Sequence, residues 1–97
     1  MTILYRRPTD PEAFRRYYEE SHIPIARRMS GLTGWNLSWI DDDGPYVLVA
    51  ELYAESKQSL DAVLSSPEGQ AANADLANFV TGGVEFLTGP EVQVALA

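Results

Sequence analysis

The 97-residue chain has no cysteine, one histidine and, beyond residue 28, one basic side chain, Lys57. The missing cysteine excludes disulfides, thiolate catalysis and zinc–thiolate sites, and it agrees with a reducing compartment. With a lone imidazole, a transition metal would have to rest almost wholly on carboxylates, so no metal is expected. No apolar run approaches the ~18 residues of a membrane span, and no charged-then-apolar leader precedes the first strand. The expectation is a soluble, unprocessed, cytoplasmic protein without a membrane partner. Clustered Lys and Arg are scarce and the net charge is −7, which argues against nucleic acid.

What is present fits one folded unit over residues 1–97, since the chain is too short for a second core. A hydrophobic share of 45% is that of an ordinary globular protein. No solenoid-period repeat or low-complexity segment interrupts it. Charge is unevenly placed: residues 1–28 hold six arginines against four acids, and from Asp41 onward Lys57 faces ten acids. The arginines suit i,i+4 pairs such as Arg15–Glu19 and Arg16–Glu20, or a basic patch that meets the acidic half of another copy.

TILYRR at 2–7 alternates in period two and reads as a strand with Ile3 and Tyr5 on one side. Asp10 and Pro11 then cap and open a helix. Its apolar face carries Phe14, Tyr17, Tyr18, His22, Ile25 and Met29. Pro24 lacks an N–H and pushes Ile23 towards extended geometry, so the helix is expected to stop or kink near His22. Trp35, Leu37 and Trp39 share one face of a half-buried strand. Asp41 to Pro45 form a solvated turn, and YVLVAELY at 46–53 reads as a central strand. A helix follows from Ser56 or Ser59, Ser66-Pro67 restarts it, and Gly82-Gly83 stops it before a last strand at 84–87. The tail, with Val92, Val94 and Leu96, alternates like a further strand.

The order β-α-β-β-α-β is the split βαβ arrangement of an α+β, ferredoxin-like fold with a four-stranded antiparallel sheet. Helices cover one face of such a sheet. The same face of a second copy is the simplest cover for the other, giving a homodimeric α/β barrel with the tail along the partner's edge.

Three strings carry a family resemblance: LYRRP at 4–8, FRRYYEESHIP at 14–24 and SGLTG at 30–34. They resemble the EthD family of dimeric α/β-barrel proteins. SPEG at 66–69 resembles the helix break found across the wider superfamily. The resemblance implies a homodimer, an apolar cavity between sheet and helices in each protomer, and cofactor-free handling of small hydrophobic molecules. It places the family's H-x-P histidine on His22, its helix aromatics on Phe14, Tyr17 and Tyr18, and its strand-end basic residues on Arg6 and Arg7. The polyketide-cyclase branch has a histidine just after this break and a tyrosine before it. Gly69 and Val63 stand in those regions here, so that catalytic pair is absent.

His22 is the first candidate because an imidazole exchanges protons near neutrality; the alternative is a structural ring capping freed carbonyls or bonding across a dimer. One of Tyr17 and Tyr18 is expected to pack and the other to present its hydroxyl to the cavity. Tyr5, Phe14 and Trp39 are candidate ligand contacts, with Trp35 assigned to the core. Arg7 is a candidate for binding a carboxylate, or an exposed strand end. The resulting expectation is a cofactor-independent enzyme acting on a small hydrophobic carbonyl or aromatic compound by isomerisation, cyclisation or dehydration. The competing expectations are a non-catalytic ligand-binding accessory protein and a cofactor-free monooxygenase.

Overall fold

A computed structural model describes residues 1–97. Strand β1 (Thr2–Arg6) is followed by helix α1 (Pro11–Tyr17), a π-helical turn (Tyr18–His22) and the short helix α2 (Ile23–Ala26). The hairpin β2 (Gly34–Trp39) and β3 (Tyr46–Tyr53) leads to α3 (Lys57–Ser65), α4 (Pro67–Asp75), a 3-10 turn (Leu76–Asn78) and β4 (Val84–Leu87). The four strands form one sheet in the order β2-β3-β1-β4, with every neighbouring pair antiparallel. This is the ferredoxin-like α+β arrangement expected from the alternation of elements.

Register decides which side chains meet the helices. Ile3 and Tyr5 lie opposite Ala50 and Leu48, while Trp35, Leu37 and Trp39 lie opposite Leu52, Ala50 and Leu48. Directly opposed residues share a face, so all of these look towards the helical layer. Phe14, Tyr18 and Phe79 descend onto them to complete the core. Tyr5 meets Phe14 edge-on at 5.6 Å and Tyr18 edge-on at 5.8 Å, and Phe14 lies 5.2 Å from Phe79. Contacts of this kind add about 0.5–1.5 kcal/mol each beyond simple burial.

Pro24 does not end the helix, contrary to the expectation from its missing N–H. Ile23 keeps helical angles (φ −57°, ψ −48°), and its N–H reaches five residues back to the carbonyl of Tyr18. The wider turn passes the proline into the first turn of α2, where no donor is needed. It also solves a phase problem. Phe14, Tyr18, His22 and Ala26 are all buried, yet residues four apart over-rotate by about 40° per step in a regular α-helix. A π turn takes up part of that excess and keeps the four in line towards the sheet. Such turns are rare and are frequently found at functional sites.

The second helical pair follows the signals read from the sequence. Ser56 accepts from the N–H of Ser59 to start α3, and Ser66 accepts from that of Gly69 to start α4, with Pro67 in its first turn. The tail departs from expectation: residues 88–97 form no strand, and Val92, Val94 and Leu96 are exposed. Alternation supplies an apolar face but no hydrogen-bonded neighbour, and a lone extended segment has nothing to hold it as a strand.

Gly69 sits where α3 and α4 nearly touch. A Cβ there would run into the backbone carbonyls of Val63 and Leu64. Gly69→Ala is therefore expected to lower stability by about 1–3 kcal/mol, as overpacking does elsewhere, measured by urea denaturation; an unchanged midpoint would show that the two helices separate freely.

Candidate functional site

Between the sheet and the helices lies a small cavity of about 60 Å³, lined mostly by apolar side chains. β1 supplies Tyr5, the π turn supplies Tyr18 and His22, β2 supplies Trp35, and α4 supplies Gly69 and Ala72. The space equals roughly two waters at ~30 Å³ each. His22 is 5% exposed, placed there by the π turn, with its ring 5.0 Å from Tyr18 and 4.9 Å from Phe79.

The imidazole has one protein partner. Its Nδ1 lies 2.9 Å from Oδ2 of Asp75, a residue equally buried at 5% exposure. The other carboxylate oxygen accepts from the Tyr17 hydroxyl at 2.7 Å and from the Asn78 amide at 2.9 Å. Burial works to raise the Asp75 carboxyl, but the hydrogen bonds from Tyr17, Asn78 and His22 outweigh it and hold the group below its ordinary value. An ionised carboxylate only accepts. Nδ1 must therefore carry a proton; Nε2 has no protein partner, and it is the nitrogen that holds the lone pair when the ring is neutral. A buried carboxylate that orients an imidazole in this way is a recurrent arrangement for a proton-accepting histidine.

The tyrosines divide the work between them. Tyr17 donates to Asp75, and that bond, with some burial, raises its own pKa; it does not line the cavity. Tyr18 does line it, and burial pushes its hydroxyl up to about 12, against a smaller opposing influence from the nearby Trp35 indole and Tyr5 hydroxyl. Tyr5 is raised further still, first by burial and then by Tyr18. Both cavity tyrosines therefore stay protonated and offer O–H groups.

Other sequence candidates go elsewhere. Phe14 is core and stacks on Tyr18. Trp39 packs edge-on against Phe14 and Tyr18 beneath the Arg15 guanidinium, 4.6 Å above its ring. It faces an outer groove of about 550 Å³, lined by charged side chains including Arg7, Arg15 and Arg16, which His22 does not reach. The indole in the cavity is that of Trp35, the reverse of the assignment made from sequence. The guanidinium of Arg7 donates to the carbonyls of Gly44 and Asp42 at 2.8 and 2.6 Å, so it ties down the β2–β3 turn. Of the expected helix pairs, Arg15–Glu19 forms at 3.2 Å, and Arg16–Glu20 is not among the ion pairs.

Asp75 and Asn78 were not singled out in the sequence. A signal existed: Asp75 interrupts the apolar stripe of Ala72, Leu76 and Phe79 with a carboxylate. Gly69 confirms the departure noted from the polyketide-cyclase pattern, because the backbone around it leaves no room for any side chain.

The profile of the EthD domain matches residues 6–83. The chain belongs to the EthD family. A Rhodococcus erythropolis relative, an uncharacterized 11.0 kDa protein in the thcB-thcC intergenic region, is 40% identical over 92 residues, covering 90% of this chain and 88% of its own. An ethyl tert-butyl ether D (EthD) family protein from Bacillus halodurans superposes with a TM-score of 0.86 at 26% identity, over 94% of this chain and 95% of that one. SnoaB, a cofactor-independent oxygenase from Streptomyces nogalater, shares the fold at a TM-score of 0.60 and 14% identity, covering 94% and 90% of the two chains. No helix of this EthD chain is long and apolar enough to cross a membrane.

Because the folded carboxyl of Asp75 lies below its unfolded value, the unfolded chain binds that proton more readily. The resulting stability is present above the unfolded value of about 3.9 and is lost as pH falls through the lower folded one. Asp75→Asn is expected to destabilise at neutral pH, with the gap to wild type closing below about pH 4 in urea titrations. A gap independent of pH would show that no ionised carboxylate is held there.

Proposed function

We propose that this EthD protein is a cofactor-independent enzyme that moves a proton on a small hydrophobic carbonyl or aromatic compound. The observation that carries the reading is a buried Asp75–His22 pair whose histidine lines an apolar cavity together with two protonated tyrosines. His22 takes a proton from the carbon next to a carbonyl. The electron pair left on that carbon shifts to the oxygen as an enolate, and the imidazolium returns the proton to the same or another carbon. Isomerisation follows directly, and ring closure or dehydration follows when the enolate attacks an internal electrophile or expels hydroxide. Asp75 does not change protonation state in this scheme: it positions the ring and stabilises the imidazolium.

The cavity is far smaller than the ~300 Å³ at the low end of ligand pockets, so a substrate enters by displacing part of the wall. Met1 and Met29 line it, and unbranched thioethers yield readily. The functional unit is proposed to be a homodimer joined through the helix-free face of the sheet, which presents Leu4, Val49 and Tyr53 around the Arg6–Glu85 ion pair. The small cavity and the lack of a side chain at Gly69 favour the competing reading, a carrier of hydrophobic ligands.

Incubation in D2O with a panel of enolisable cyclic ketones and lactones separates the two. Wild type is expected to accelerate deuterium exchange at the α-carbon, and His22→Gln to lose at least ~10²-fold in rate. An unchanged rate in a folded variant would remove His22 as the base, and saturable binding without exchange by wild type would establish the carrier.

A further inference from the structure

Two buried side-chain polar atoms find no hydrogen-bond partner in this chain, Trp35 Nε1 and Glu85 Oε2. Glu85 lies opposite Leu4, on the side of the sheet away from the helices. Trp35 borders the cavity. An indole N–H only donates, and a buried donor without an acceptor is rare enough in native proteins to need an explanation. Tyr18 borders the same space, close enough for its hydroxyl to feel the Trp35 indole, although the two do not meet in hydrogen-bond geometry. The Trp35 N–H can only donate and is unpaired, the Tyr18 hydroxyl can donate as well as accept, and His22 supplies a ring nitrogen without a protein partner.

We infer that Trp35 N–H and Tyr18 O–H together form a binding site for a ligand oxygen in the cavity that the proton-accepting His22 also lines. The ligand class is then a small, otherwise apolar molecule whose carbonyl or phenolic oxygen adjoins a removable proton. Trp35 is the specificity-determining residue. It stabilises the oxygen as charge gathers on it, as fixed donors do for enolates, and it penalises hydrocarbons of the same shape, which would leave the N–H unpaired. The inference rests on the reading of this cavity as the ligand site, but it concerns binding and can fail or stand independently of catalysis.

The test uses the ¹⁵N-labelled full chain titrated with cyclopentanone and, in parallel, with methylenecyclopentane, a hydrocarbon of matching shape. The chain has two tryptophans, so Trp39→Phe assigns the Trp35 indole signal. Cyclopentanone is expected to move that indole proton downfield, and methylenecyclopentane is not. Trp35→Phe should weaken the ketone about fivefold, the worth of one neutral hydrogen bond, and leave the hydrocarbon unweakened. Equal shifts with both ligands, ketone affinity unchanged in Trp35→Phe, or no binding of either ligand would overturn the inference. A downfield shift with unaltered exchange in His22→Gln would sustain the oxygen site and remove the proposed base. The opposite pair of results would sustain the base and remove the oxygen site.

Discussion

A carboxylate taken out of water must be surrounded by donors or it unfolds what surrounds it, because the effective penalty for a buried ion runs to several kcal/mol. Asp75 is such a group, and its requirements account for much of the molecule. Tyr17 and Asn78 take one oxygen and His22 takes the other. Two of these donors come from the first helical segment and one from the turn after α4. The carboxylate thereby joins the two helical segments of the layer at the point where the sheet opens into a cavity.

That join works only if α1 and the π turn deliver Tyr17, Tyr18 and His22 in the right directions. Tyr17 has to reach sideways to Asp75 while Tyr18 and His22 face the sheet. A regular helix broken at Pro24 would turn His22 out of line with Phe14 and Tyr18. The π turn keeps the inward row intact, and the proline that looks like a stop lies in the first turn of α2, where its missing donor does no harm. Phe79, within 5.2 Å of the rings of Phe14, Tyr17 and His22, locks the arrangement from the other side. Backbone geometry, aromatic packing and the protonation of one imidazole are thus coupled.

Elements governed by neighbouring residues were legible in the sequence. The alternation around Ile3 and Tyr5, the Trp35-Leu37-Trp39 face, the Ser-Pro restart of α4 and the succession of strands and helices all follow from local chemistry and short connections. His22 stood out as the lone imidazole on an apolar face. What escaped depends on distance. Asp75 meets its partners 58 and 53 residues away, at Tyr17 and His22, so only the oddity of an acid in an apolar stripe could have pointed to it. The exchange of roles between Trp35 and Trp39 was equally hidden, since both share one strand face and only the position of α4 decides which indole borders the cavity. Arg7 read as a free cation because the carbonyls that engage it lie in the hairpin turn, 35 and 37 residues on.

Acid/base chemistry, selectivity for an oxygen-bearing ligand and the stability of the helical join all depend on which nitrogen of His22 holds the proton. With a single histidine in the chain, ¹⁵N chemical shifts of the ring report this without assignment. For the neutral ring the account predicts a protonated Nδ1 and a pyridine-like Nε2, with Asp75→Asn abolishing the preference. A neutral ring protonated at Nε2 in the wild type, or a ring indifferent to Asp75, would contradict it.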